Sequence, residues 1–124
     1  MSARYTAPVV SGKGRGKRIG FPTLNLKIPE SFSYLHGIYA GWILFGEKRY
    51  RAAFHFGPIP TFTETEPTLE AFVIDTDPPD GLLAIDFELV KRLREVKKFK
   101  DPHELSEQIK EDVEEVKKVL DRKN

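Results

Sequence analysis

Residues 37–56 read Gly37-Ile38-Tyr39-Ala40-Gly41-Trp42-Ile43-Leu44-Phe45-Gly46-Glu47-Lys48-Arg49-Tyr50-Arg51-Ala52-Ala53-Phe54-His55-Phe56. Two runs rich in aromatic and aliphatic residues flank a Gly-Glu pair, the pattern of two strands joined by a tight hairpin turn. Trp42, Tyr39, Phe45, Tyr50, Phe54 and Phe56 are the core candidates of that hairpin. Working outward, Thr23 to Ile28 alternates polar and apolar, with Leu24, Leu26 and Ile28 on one face, the period of a strand. Thr68–Asp75 and Leu82–Val90 are two more strand candidates, separated by the breaker cluster Asp77-Pro78-Pro79-Asp80-Gly81. Upstream, Pro8 restrains the start of a short apolar stretch, Val9–Val10.

The last segment differs in kind. Asp101 can cap a helix whose first residue is Pro102, and Glu104 completes an Asp-x-x-Glu capping box. Leu105, Ile109, Val113, Val116 and Leu120 recur at three- and four-residue steps, which predicts an amphipathic helix packed over the strands. About six short strands and one terminal helix point to a mainly β fold, a small antiparallel barrel with the helix laid against it.

The 124 residues fit one domain. Cysteine is absent, which removes disulfides and thiol chemistry and suits a reducing compartment. No stretch approaches the roughly 18 apolar residues of a membrane span, and Met1 to Gly20 lack the apolar run of a secretory signal. A soluble, cytoplasmic protein is expected. The net charge is only +1, yet every charged side chain from Met1 to Pro29 is basic: Arg4, Lys13, Arg15, Lys17, Arg18 and Lys27. A balanced chain with a basic opening suggests a local anion site rather than a nucleic-acid coat.

Three groups of residues can carry chemistry. The first is the loop Gly12-Lys13-Gly14-Arg15-Gly16-Lys17-Arg18-Ile19-Gly20. It is neither a Walker A loop nor the dinucleotide GxGxxG, but glycines let backbone N–H groups line an anion nest, and the interleaved cations add charge. A plain basic surface loop fits the same composition. The second is Gly20-Phe21-Pro22-Thr23-Leu24-Asn25-Leu26. Period-two alternation puts Thr23 and Asn25 on one face, where their oxygens can address a hard cation such as magnesium, with Pro22 stiffening the approach. Strand-edge hydrogen bonds are the alternative. The third is Glu70, which shares a face with Phe72 and Ile74 while Leu69, Ala71 and Val73 occupy the other. A carboxylate inside a strand apolar on both faces needs a partner or a task, and accepting a proton is one; a strand-end glutamate reaching solvent is the other reading. His36, His55 and His103 are too scattered for a metal site.

In this order the pieces resemble the ATP-dependent riboflavin kinase family, and the resemblance covers nearly the whole chain. Val9–Gly20 is similar to the family's Gly-rich nucleotide loop. Gly20-Phe21-Pro22-Thr23-Leu24-Asn25 matches its Gly-Phe-Pro-Thr-Ala-Asn signature except at Leu24. Gly37-Ile38-Tyr39-Ala40 resembles its Gly-Val-Tyr-Ala strand opening, and Gly57-Pro58-Ile59-Pro60-Thr61-Phe62 its Gly-x-x-Pro-Thr-Phe loop. Glu70 falls where the family carries its catalytic glutamate.

The resemblance implies a six-stranded antiparallel Greek-key barrel with a C-terminal helix, residues 1–124 forming one riboflavin kinase domain. It implies ATP binding by Gly14, Arg15, Gly16, Lys17, Gly20, Pro22, Thr23 and Asn25, with Thr23 and Asn25 also holding the metal, magnesium or else zinc or manganese. Glu70 would be the catalytic base, and Arg94, Phe99 and Phe62 would lie at the flavin. Riboflavin and ATP would be the substrates and FMN and ADP the products, with a monomer acting on neither nucleic acid nor membrane. Three departures stand out. His55-Phe56 replaces the usual Asn-Ile, Pro79-Asp80-Gly81 replaces Leu-Tyr-Gly, and Arg94-Glu95-Val96 lacks the frequent Arg-x-Glu, which removes a carboxylate expected near the flavin. A catalytically impaired flavin- or nucleotide-binding module, or a small nucleic-acid-binding barrel, are the competing functions.

Overall fold

A computed structural model describes residues 3–10, 20–58 and 66–121. Six strands, β1 (Arg4–Val10), β2 (Leu24–Leu26), β3 (Gly37–Phe45), β4 (Lys48–Gly57), β5 (Thr68–Val73) and β6 (Ala84–Arg94), precede one helix, α1 (Pro102–Asp121). The strands close into an antiparallel barrel in the order β1-β2-β5-β4-β3-β6. β3, β4 and β5 lie side by side and β6 returns to pair with β3, which is the Greek-key arrangement.

The β3–β4 hairpin is the longest ladder, running from Gly37↔Phe56 to Phe45↔Lys48 around Gly46, whose φ is +62°. Side chains alternate across the barrel wall. Ile43, Phe54, Leu69, Ala71, Ile85 and Phe87 point inward and are almost fully buried. The bore is narrow, and large rings face small residues: Phe54 and Phe87 meet at 5.5 Å between centroids in a core shared with Ala7, Ala52 and Ala71. Where β3 crosses β6 the register shifts twice, and at Gly41 any Cβ would collide with the Glu88 carbonyl oxygen. Only glycine permits that approach.

β1 is longer than Val9–Val10 because its polar half is held by partners rather than by apolar burial. Thr6 Oγ1 donates to Asp86 at 2.6 Å, and Arg4 reaches Glu88 at 3.3 Å. Pro8, which lacks an N–H, sits where β1 changes partners. Arg4–Pro8 pair with β6, Val9–Val10 pair with β2, and the Pro8 carbonyl accepts from Lys27 N. The ladder therefore loses little to the proline.

α1 begins as its sequence suggests, with Asp101 Oδ1 accepting from Glu104 N at 2.9 Å. The Glu104 carboxylate reaches back one residue further than a capping box does, to Lys100 N at 2.9 Å. The buried stripe is Asp112, Val116, Val119 and Leu120, rotated from the expected one so that a charged residue lies on it. Val116, Val119 and Leu120 pack with Ala40 and Trp42 on the outside of β3; each such side chain contributes about 1.5–3 kcal/mol by leaving water. Trp42 thus belongs to the helix-facing cluster, while Tyr39, Phe54 and Phe56 fill the barrel. At the helix end, Arg51 of β4 bridges Asp75 at 2.6 Å and Asp121 at 3.0 Å.

Candidate active site

On β2, β5 and β4 the inward positions are core, so the outward positions are free to carry function. The register aligns them: Asn25 is the Cα partner of Glu70, Glu70 of His55, His55 of Ile38, and Ile38 of Arg94. One row therefore crosses four strand boundaries of the outer wall. It ends at α1, where Arg94 Nε and Nη2 bond both oxygens of Asp112 at 2.9 and 2.7 Å.

Glu70 is half-buried in this row and its carboxylate is held from both sides. Thr23 Oγ1 donates to Oε1 at 2.7 Å. Thr68 Oγ1 stands 3.3 Å from Oε2 and 3.3 Å from the Gly57 carbonyl, so its single proton is shared between two acceptors. Such clamping fixes a carboxylate's orientation.

Beside Thr23 opens a cleft of about 260 Å³, lined by Val9, Pro22, Thr23, Leu24, Phe72 and Val73 and by the Asp77–Leu82 turn. Its walls are largely apolar, and Phe72 is braced edge-on by Phe21 at 5.3 Å. The breaker cluster expected only to separate two strands thus forms one wall of the cleft, Pro79-Asp80-Gly81 included. On the other side of the row Arg94 also donates to the Glu95 carbonyl at 3.0 Å, and its guanidinium lies 5.7 Å from the centre of the Phe99 ring. A carboxylate does stand beside Arg94, but α1 supplies it through Asp112 rather than the segment after β6.

Of the expected site residues, Pro22, Thr23, Asn25 and Glu70 come together, and Gly20 sits in the turn before them with φ +88°. Arg94 and Phe99 are adjacent at the helix end of the row. Gly14, Arg15, Gly16, Lys17 and Phe62 lie outside the described residues. Among the described residues no group of three or more His, Cys, Asp or Glu side chains can hold a metal. The available oxygen donors are those of Thr23 and Asn25, next to Glu70. Neutral oxygens in that number fit a hard cation that brings most of its ligands with a nucleotide.

Three residues escaped the sequence reading. Thr68 lies two positions before Glu70, so its placement on the same face was available from the strand period. Asp112 falls between Ile109 and Val113 on the apolar stripe, and a charge there signals a buried partner. His55 was visible only as a departure from a motif. In the fold it neighbours Glu70 across β4–β5, and burial, aided by Arg94, pushes its imidazole down to about 4. Among the described residues its Nδ1 has no hydrogen-bond partner.

The family model for flavokinase, described as riboflavin kinase, matches residues 2–120. The chain belongs to the riboflavin kinase family. Bifunctional riboflavin kinase/FMN adenylyltransferases are similar to this riboflavin kinase domain. The Bacillus subtilis (strain 168) protein is 34% identical over 111 residues, covering 86% of this chain and 35% of its own. The Escherichia coli (strain K12) protein is 32% identical over 105 residues, covering 84% of this chain and 34% of its own. The chain thus spans about a third of the length of these curated relatives. A solved structure described as a macrolide-efflux protein from Streptococcus pneumoniae matches with a TM-score of 0.78 and 27% identity, over 91% of this chain and 38% of that one. Among the described residues, no helix is long and apolar enough to cross a membrane. Riboflavin kinases use ATP and a divalent metal to phosphorylate riboflavin to FMN.

Proposed function

We propose that this riboflavin kinase domain, residues 1–124, transfers the γ-phosphate of ATP to the ribityl 5′-hydroxyl of riboflavin, with Glu70 as the base. The observation that carries the reading is the clamped carboxylate of Glu70, held by Thr23 on the nucleotide side and by Thr68 below it. ATP occupies the cleft beside Thr23, its base against Pro22, Phe72 and the Asp77–Leu82 turn. Gly14, Arg15, Gly16, Lys17 and Gly20 cover the phosphates.

A hydroxyl has one proton and two lone pairs. Thr23 can therefore keep its bond to Glu70 while offering a lone pair outward, and the Asn25 carboxamide offers a second oxygen. When bound there, a divalent cation, magnesium or else zinc or manganese, would neutralise charge on the transferred phosphoryl group, the hard oxygen donors suiting magnesium and manganese better than zinc. Glu70 takes the proton of the 5′-hydroxyl as that oxygen bonds to the γ-phosphorus. The bond from phosphorus to the β–γ bridging oxygen breaks with its electron pair leaving on ADP. Such a reaction is catalysed chiefly by positioning and charge neutralisation. The flavin ring lies toward α1, near Arg94, Phe99 and Phe62. The domain acts as a monomer, and work in the reducing cytoplasm accords with the cysteine-free composition.

The test is direct. Purified protein, riboflavin, ATP or CTP, and magnesium, zinc or manganese are incubated and FMN is read by chromatography. FMN and ADP should form with ATP. No FMN with ATP under any of the three metals overturns the reading, and tight riboflavin binding in that case would favour an impaired flavin-binding module.

A further inference from the structure

Resting on that reading, one polar group of the outer row still has no task. His55 is the Cα partner of Glu70, so imidazole and carboxylate project from the same face of neighbouring strands. Its Nδ1 is shielded from solvent and lacks a hydrogen-bond partner among the described residues. A buried polar atom left so is costly, and folded proteins keep few of them.

Position suggests what would satisfy it. Thr23 and Asn25 adjoin Glu70 from β2, with the nucleotide cleft beyond them. In-line transfer places the attacking and leaving oxygens on opposite sides of the phosphorus. With the donor on the β2 side of Glu70, the acceptor approaches from the β4 side, where His55 stands and where the row continues to Arg94 and α1.

We propose that His55 binds the acceptor alcohol, its Nδ1 accepting a hydrogen bond from a secondary hydroxyl of the polyol chain while the terminal hydroxyl faces Glu70. The bond forms as the incoming chain parts the side chains that shield Nδ1, a rearrangement of the kind common on binding. The neutral state suits this role. Burial and Arg94 hold the imidazole down to about 4, so near neutral pH one ring nitrogen carries a lone pair. The charged or titratable groups that act on the ring are Arg94 from β6 and His36 from the segment before β3.

Two ligands separate this role from a structural one: riboflavin, and lumiflavin, which carries the same ring system without the polyol. Binding is followed by flavin fluorescence at pH 7.5. His55→Leu should weaken riboflavin about five- to tenfold, the worth of one hydrogen bond, and leave lumiflavin unchanged, while His55→Asn, which restores an acceptor, should recover most of the loss. The unmodified protein gives a second measure: among 2′-, 3′- and 4′-deoxyriboflavin, one should bind about five- to tenfold more weakly than riboflavin. Equal binding of all three, or a His55→Leu variant that loses riboflavin and lumiflavin alike, overturns the proposal. FMN formation alongside such results would sink this inference alone, whereas absence of any riboflavin binding sinks it together with the kinase reading.

Discussion

The hydroxyl of Thr23 donates to Oε1 of Glu70 across 2.7 Å, joining the proposed metal ligand and the proposed base in one hydrogen-bonded unit. The two residues are 47 apart in sequence and meet only because β2 is laid beside β5.

That unit separates chemistry from stability. Glu70→Gln keeps the shape and an oxygen for Thr23 but cannot take a proton. FMN formation should fall about 10²–10⁴-fold, with thermal unfolding within a few degrees of the parent. A variant that retains full turnover removes Glu70 from the mechanism.

Thr23 should be sensitive to its hydroxyl rather than its methyl group. Thr23→Ser ought to keep most of the activity. Thr23→Val, which loses both the bond to Glu70 and the oxygen offered to the cation, should lower turnover at least about tenfold and raise the metal concentration needed for half-maximal rate. Equal behaviour of the two variants would count against the assignment.

Asp112 and Arg94 form an ion pair whose side chains are only 7% and 14% exposed. Removing one partner leaves a buried charge alone, so Asp112→Ala should destabilise the fold by about 3 kcal/mol. The double variant Arg94→Met/Asp112→Leu should cost clearly less, since no charge is stranded. Urea unfolding of Arg94→Met, Asp112→Leu and the double measures this; a double variant as weak as the sum of its singles contradicts it.

The buried imidazole of His55 predicts an acid-side loss of stability. Its folded-state value is about 4, against about 6.5 for an unfolded histidine. Between those values the unfolded chain binds a proton that the folded chain refuses, so stability falls as pH drops from about 6.5 to about 4, by up to about 3 kcal/mol. Asp75, held below the usual carboxylate range by Arg51, acts in a lower window. Its contribution is present above about pH 4 and is lost as pH falls through the depressed value. Urea midpoints at pH 7, 6 and 5 should decline in the parent and much less in His55→Asn; parallel slopes refute the assignment.

Much of this was legible in the chain, for stated physical reasons. β3 and β4 declare themselves through aromatic and branched residues around Gly46, and α1 through Asp101 and Pro102. The polar half of β1 and the Lys91–Arg94 end of β6 did not, because their order comes from cross-strand partners and not from an apolar period. At the site, strand alternation puts Thr23 with Asn25 on one face of their strand and Glu70 opposite Leu69, Ala71 and Val73 on its own, which one sequence suffices to reveal. That Glu70 meets Thr23, that His55 adjoins Glu70, and that Arg94 finds Asp112 depend on register and helix docking. Those are decided by which faces bury together, and no local pattern encodes them.

The alternation of the barrel wall also divides labour by parity. Along β5, Leu69, Ala71 and Val73 carry the fold while Glu70 and Phe72 face the candidate site; along β2, Leu24 and Leu26 do the first and Asn25 the second. Evolution or an engineer can therefore retune the two properties on interleaved positions of the same strand. The same geometry makes the fold intolerant of slippage: inserting one residue in β5 would exchange the two sets, turning Glu70 into the bore and the core into solvent.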